Sequence, residues 1–75
     1  MKKTFTIILN GKRQDCPPGA TVASLVADLR AALDLDPKTP IVAELNGAII
    51  PEPEHTATIL NEDDRVELVH FVGGG

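Results

Sequence analysis

A chain of 75 residues has room for one domain, and at this size only about 60% of the unfolded surface is buried, which leaves one thin core and little material for a deep catalytic pocket. Apolar residues at 43% and charged residues at 24% give the balance of a soluble globular domain, too apolar for a disordered one. The net charge of −4, seven basic residues against eleven acidic ones and only two aromatics, both Phe, argue against nucleic acid as a partner, since neither a basic patch nor stacking platforms are present.

The apolar runs are far shorter than a membrane span or a signal core, so a cytoplasmic chain without a membrane role is expected. Cys16 stands alone, which rules out an internal disulfide framework and a multi-Cys metal site.

Residues 4–9 alternate Phe5, Ile7 and Leu9 with Thr4, Thr6 and Ile8, and predict a strand with its odd positions inward. Asn10-Gly11 suits the positive φ angles of a type I′ turn, so Lys12 to Cys16 runs back as the second arm of a hairpin. Pro17-Pro18-Gly19 ends that ladder. Thr21 is placed to cap a helix in which Val22, Leu25, Val26, Leu29 and Leu33 share one side, with Ser24, Asp28 and Ala31 toward water. Asp34 to Pro40 reads as a loop.

A third strand is predicted over Ile41 to Leu45, with Ala43 and Leu45 inward and Val42 and Glu44 outward; a second Asn-Gly turn at Asn46-Gly47 leads into Ala48 to Ile50. Pro51 to Glu54 reads as a loop, Thr56 to Leu60 as one short helical turn, and Asn61 to Asp64 as a solvated turn without the alternating ligand spacing of a calcium loop. Arg65 to Val72 forms the last strand, with Val66 and Leu68 inward. A mixed sheet of four to five strands packed on one main helix, an α+β architecture in a single domain over 1–75, follows from this order.

His55 and His70 lack Cys or carboxylate partners at zinc spacing and read as surface residues; no metal site is expected. Cys16 has no identifiable base or oxyanion loop, and no phosphate-binding, zinc-protease or nucleophile-elbow motif occurs, so the chain is not expected to be an enzyme. The ending Phe71-Val72-Gly73-Gly74-Gly75 is different. Three glycines contribute nothing to a core and lose much entropy when fixed, so they read either as a frayed end or as a slender tail, flexible over 73–75, that carries the Gly75 α-carboxylate into a narrow cleft.

The hairpin through Asn10-Gly11, the Pro18-Gly19-Ala20-Thr21-Val22 entry to an amphipathic helix, Leu45-Asn46-Gly47 after it, and the run from Asp64 to Phe71-Val72-Gly73-Gly74-Gly75 together resemble the ThiS family of β-grasp, ubiquitin-like sulfur carriers over essentially the whole chain. That resemblance implies a carrier in thiamin thiazole biosynthesis. An E1-like adenylyltransferase using ATP and magnesium would adenylylate Gly75, a cysteine desulfurase system would supply persulfide sulfur, and the resulting thiocarboxylate would serve thiazole synthase. The chain itself would hold no cofactor and be a monomer when free. Gly73 and Gly74 would give the tail its narrow approach.

Alternation places Val69 and Phe71 on the sheet face opposite the core, where Val42 and Ile8 also point, and this apolar patch is the expected docking surface. The resemblance leaves three alternatives open. They are the small subunit of molybdopterin synthase, a ubiquitin-like modifier forming isopeptide bonds, and a binding domain with an inert tail. Many relatives end in two glycines where this chain has three.

Overall fold

The computed structural model describes residues 4–71. Its elements follow in the order β1 (Phe5–Leu9), β2 (Lys12–Cys16), α1 (Val22–Ala32), β3 (Ile41–Leu45), β4 (Ala48–Ile50), a 3₁₀ turn (Glu52–Glu54) and β5 (Arg65–His70). The five strands form one sheet in the order β2-β1-β5-β3-β4. β1 and β5 are parallel at its centre, and every other pairing is antiparallel. One helix on one face of this mixed sheet is the expected architecture.

Both hairpins form where Asn-Gly requires them. Asn10 and Gly11 take φ of 50° and 82°, and Asn46 and Gly47 take 51° and 88°, the left-handed values these residues tolerate. The core lies between the helix and the odd-numbered side of β1. Ile7, Val22, Leu25, Ala43, Leu60, Val66 and Leu68 are buried together with Cys16, and Phe5, Leu9, Val26, Leu29, Ile41 and Leu45 pack against them.

The helix starts at a capping box. Thr21 Oγ1 accepts from the Ser24 N–H at 3.1 Å, and Ser24 Oγ accepts from the Thr21 N–H at 3.0 Å. It stops one residue earlier than the apolar spacing suggests. Asp34 enters the left-handed region at φ 53°, its N–H bonds to Ala31 C=O, and the Leu35 N–H bonds to Arg30 C=O at 2.9 Å, which together form a Schellman closure. Leu33, expected inward, is thereby the cap residue and is 49% exposed.

Two further expectations are corrected. The short helical turn falls on Glu52–Glu54 rather than Thr56 to Leu60, because proline in a first turn costs no hydrogen bond. The turn carries on through Ala57, whose N–H donates to Glu54 C=O at 3.2 Å, and only Thr58 to Leu60 run beside the helix start. The Val22 N–H donates to Thr58 C=O at 3.0 Å, the Leu60 N–H donates to Ala20 C=O at 2.9 Å, and Ile59 bridges Thr21. The last strand ends at His70, two residues before its expected limit at Val72, which itself lies outside the described residues.

The two turn asparagines also fasten β5. Where β1 turns away after Leu9, the Asn10 carboxamide continues its ladder: the Leu68 N–H donates to Asn10 Oδ1 at 2.8 Å and Asn10 Nδ2 donates to Leu68 C=O at 3.3 Å. On the other flank the Arg65 N–H donates to Asn46 Oδ1 at 2.9 Å, and Asn46 Nδ2 donates to Asp64 Oδ1 at 3.0 Å. Asn10→Gly and Asn46→Gly keep the turn conformation and remove only these bonds. Each is expected to cost about 1–2 kcal/mol, or a fall of roughly 4–16 °C in thermal midpoint, read by calorimetry.

Candidate functional site

β5 sits at the middle of the sheet, parallel to β1 and antiparallel to β3, so the strand that leads into the glycines is paired on both sides. Alternation sends Val66 and Leu68 into the core and leaves Arg65, Glu67 and Val69 on the open face. Val42 lies directly opposite Val69 across the β3–β5 ladder. Val69 is 53% exposed, Phe71 two residues on is 54% exposed, and Val42 is half-buried. These three make an apolar patch at the point where the chain leaves the sheet.

Ile8 shares that face but not that place. It is half-buried and opposite Arg65, four residues before Val69 along β5, or roughly 13 Å at the rise of a strand. Between the two apolar regions Glu44 faces Glu67, and on its other side Glu44 faces Ile49, which is 64% exposed. Like charges directly opposite one another are unfavourable, so this face is not arranged for the stability of the isolated domain. Gly73, Gly74 and Gly75, the remaining expected site residues, lie outside the described residues.

The other titratable groups serve the fold. His55, expected at the surface, is 6% exposed, and its Nε2 is 2.9 Å from the carbonyl of Ile50. A histidine reads as polar, and its burial depends on that edge-strand carbonyl needing a partner. His70 is half-buried beside Ile41 rather than exposed, and its Nδ1 has no hydrogen-bond partner among the described residues. Cys16 is buried at the end of β2 opposite Phe5; burial, then the nearby Asp15 and Asp28 carboxylates, push its thiol above the ordinary 9.0. A protonated, enclosed thiol is a poor nucleophile. Among the described residues, no three His, Cys, Asp or Glu side chains gather as metal ligands, and no helix is long and apolar enough to cross a membrane.

The geometry so far is a small handle with an apolar patch at the root of its glycine ending. The same handle occurs in known proteins. The solved structure of the thiamine biosynthesis protein ThiS from Geobacter metallireducens superposes with a TM-score of 0.66 at 27% identity, over 95% of this chain and all of that one. A thiazole synthase from Magnetococcus marinus is 35% identical over 69 residues, 92% of this chain but 20% of that protein. A second, from Paramagnetospirillum magneticum, is 28% identical over the same shares. The chain thus spans about a fifth of the length of these two relatives. An uncharacterized protein of Porphyra purpurea, ycf40, is 29% identical over all of this chain and 99% of that protein. The model of the ThiS family matches residues 7–75, from the first core residue of β1 to the last glycine, and the chain belongs to the ThiS family.

Proposed function

We propose that this chain is the sulfur carrier of thiamin thiazole synthesis and acts as a co-substrate through the carboxylate of Gly75. The observation that supports this most is the family match running through the terminal glycines on a fold whose central strand leads straight to them. A carboxylate is a poor electrophile, because its charge repels nucleophiles and an oxide leaves badly. Activation therefore comes first: a carboxylate oxygen attacks the α-phosphorus of ATP on an E1-like adenylyltransferase, pyrophosphate leaves, and an acyl-adenylate forms. Magnesium on that enzyme neutralises the phosphates. The outer sulfur of a persulfide from a cysteine desulfurase system then attacks the acyl carbon and expels AMP. A thiol takes up the inner sulfur as a disulfide, and the thiocarboxylate is released for thiazole synthase.

This chain supplies access and grip. Gly73 and Gly74 pass a backbone without Cβ atoms through both partners' clefts. Val69, Phe71 and Val42 form the contact that brings the tail into register, with Ile8 at its far margin. The thiazole synthases among the relatives, which contain a segment similar to this chain, favour thiazole over the molybdopterin pathway. Val69→Asp and Phe71→Asp are expected to raise the KM for the chain in the adenylylation assay by at least about tenfold, as loss of an interface anchor does, with the thermal midpoint unchanged. Unfolding by either change would show that these side chains belong to the core.

Labelled sulfur gives the test. The chain is loaded from labelled persulfide with the adenylyltransferase and ATP, purified, and given to thiazole synthase with its other substrates. Label in the thiazole supports the reading. Label that stays on the chain, or lysine adducts of Gly75 in its place, refutes it.

A further inference from the structure

β5 ends between two stops of different kinds. On the β1 side the Asn10 carboxamide takes both backbone groups of Leu68, and the turn at Asn10-Gly11 carries β1 away. On the β3 side the Phe71 N–H donates to Pro40 C=O at 3.3 Å. Proline has no N–H to return to the Phe71 carbonyl, so this rung is single.

An antiparallel ladder makes its close rungs every second residue, and the next on this side would face Lys38. The Lys38 N–H is already held by Asp36 Oδ1 at 2.7 Å. Between the two, the Thr39 N–H donates to Asp36 C=O at 2.9 Å, and Thr39 C=O accepts Arg30 Nη1 at 2.8 Å. The same nitrogen reaches Asp36 C=O at 3.1 Å. Before Ile41, therefore, backbone donors are removed by proline or turned inward on the loop. β3 is thereby kept from extending before Ile41.

We propose that the turn formed by Arg30, Asp36 and Pro40 is a ladder stop that ends β3–β5 pairing at Phe71, and so sets the reach of the Gly75 carboxylate into a partner's active site. The inference rests on the reading of Gly75 as the activated group. Asp36 and Pro40 are positioning residues in it: they touch no substrate and act on where the strand ends. Each residue drawn into the ladder shortens the reach by about 3.3 Å, and one further close rung by about 7 Å. A misplacement of about 1 Å at a reacting group can cost about a hundredfold, so reach is a sensitive variable.

The test pairs Pro40→Ala, alone and with Asp36→Ala, with a rescue. Pro40→Ala supplies a donor opposite Phe71, and Asp36→Ala frees that of Lys38. Amide hydrogen exchange, with no enzyme present, is expected to show new protection at Gly73 in the double variant, with the thermal midpoint of a folded domain retained. In the adenylylation assay kcat is expected to fall up to about tenfold, the weight of one or two backbone hydrogen bonds, with KM unchanged. Two glycines inserted between Gly73 and Gly74 restore the rate in the double variant and give the parent no gain. Unaltered exchange at Gly73, an unaltered rate despite new protection, or an equal gain in the parent would overturn the inference. If Pro40→Ala with Asp36→Ala fails to fold, Pro40→Ala alone carries the test through protection of the new amide at position 40, whose N–H faces the Phe71 carbonyl, and the same rescue. A parent chain that is never adenylylated instead refutes the role of Gly75, and is told apart because the exchange difference persists.

Discussion

Gly74→Val is expected to slow adenylylation of Gly75 by at least about a hundredfold while leaving the thermal midpoint where it is, because a small displacement at a reacting group costs that much. The penultimate residue must pass through whatever cleft holds the terminal carboxylate against ATP. A valine adds a branched side chain to a backbone that offers none, and it restricts the extended conformations available there. Among the described residues the packed core ends with Leu68, well before this position in the chain. The loss should fall on kcat, with KM held by Val69 and Phe71, and Gly74→Ala should lie between valine and the parent. Steady-state kinetics with the adenylyltransferase reads both. A Gly74→Val chain activated at the parent rate would mean that the tail does not enter a confined site.

Ile7→Ala carries the largest expected effect on the fold, a loss of about 2–5 kcal/mol. Ile7 is fully buried in β1, between the helix and the pair of central strands. A domain of this length holds about 4–11 kcal/mol in total, so the change removes a large share of it. Ile49→Ala is the matched control: the same atoms are lost from a side chain already 64% exposed on the open face, and less than about 0.5 kcal/mol should follow. Urea titration of the two variants separates them. Equal losses would mean that the open face is as much a core as the helix side.

The parts of the fold legible in the sequence are those set by neighbours in the chain. Asn10-Gly11 and Asn46-Gly47 fix both hairpins locally, and the period of Ile7, Val66 and Leu68 fixes which sides of β1 and β5 are inward. Leu33 was misplaced because apolar spacing continues past a helix that Asp34 has already closed, and aspartate is a less common left-handed residue than glycine. The burial of His55 and the role of Asn10 are set by partners brought together only by the fold. One is an edge-strand carbonyl and the other a strand 58 residues away.

The candidate site divides in the same way. Alternation alone puts Val42, Val69, Phe71 and Ile8 on one face, and the structure agrees. Distance along the ladder depends on register, and it separates Ile8 from the other three. Pro40 is legible as a loop residue. That it stands opposite Phe71, where its missing donor ends the ladder, follows only from the pairing of Ile41 with His70.

The central claim is that the carboxylate of the last glycine bears the sulfur, and the intact mass of the chain tests it most directly. The parent and a variant with one alanine appended after Gly75 are each incubated with the adenylyltransferase, ATP, magnesium and a persulfide donor. The parent is expected to gain the mass of one sulfur in exchange for one oxygen, localised to Gly75 by fragmentation, and the extended chain to keep its mass. An extended chain that takes up sulfur as fast as the parent, with its alanine still in place, would contradict the account.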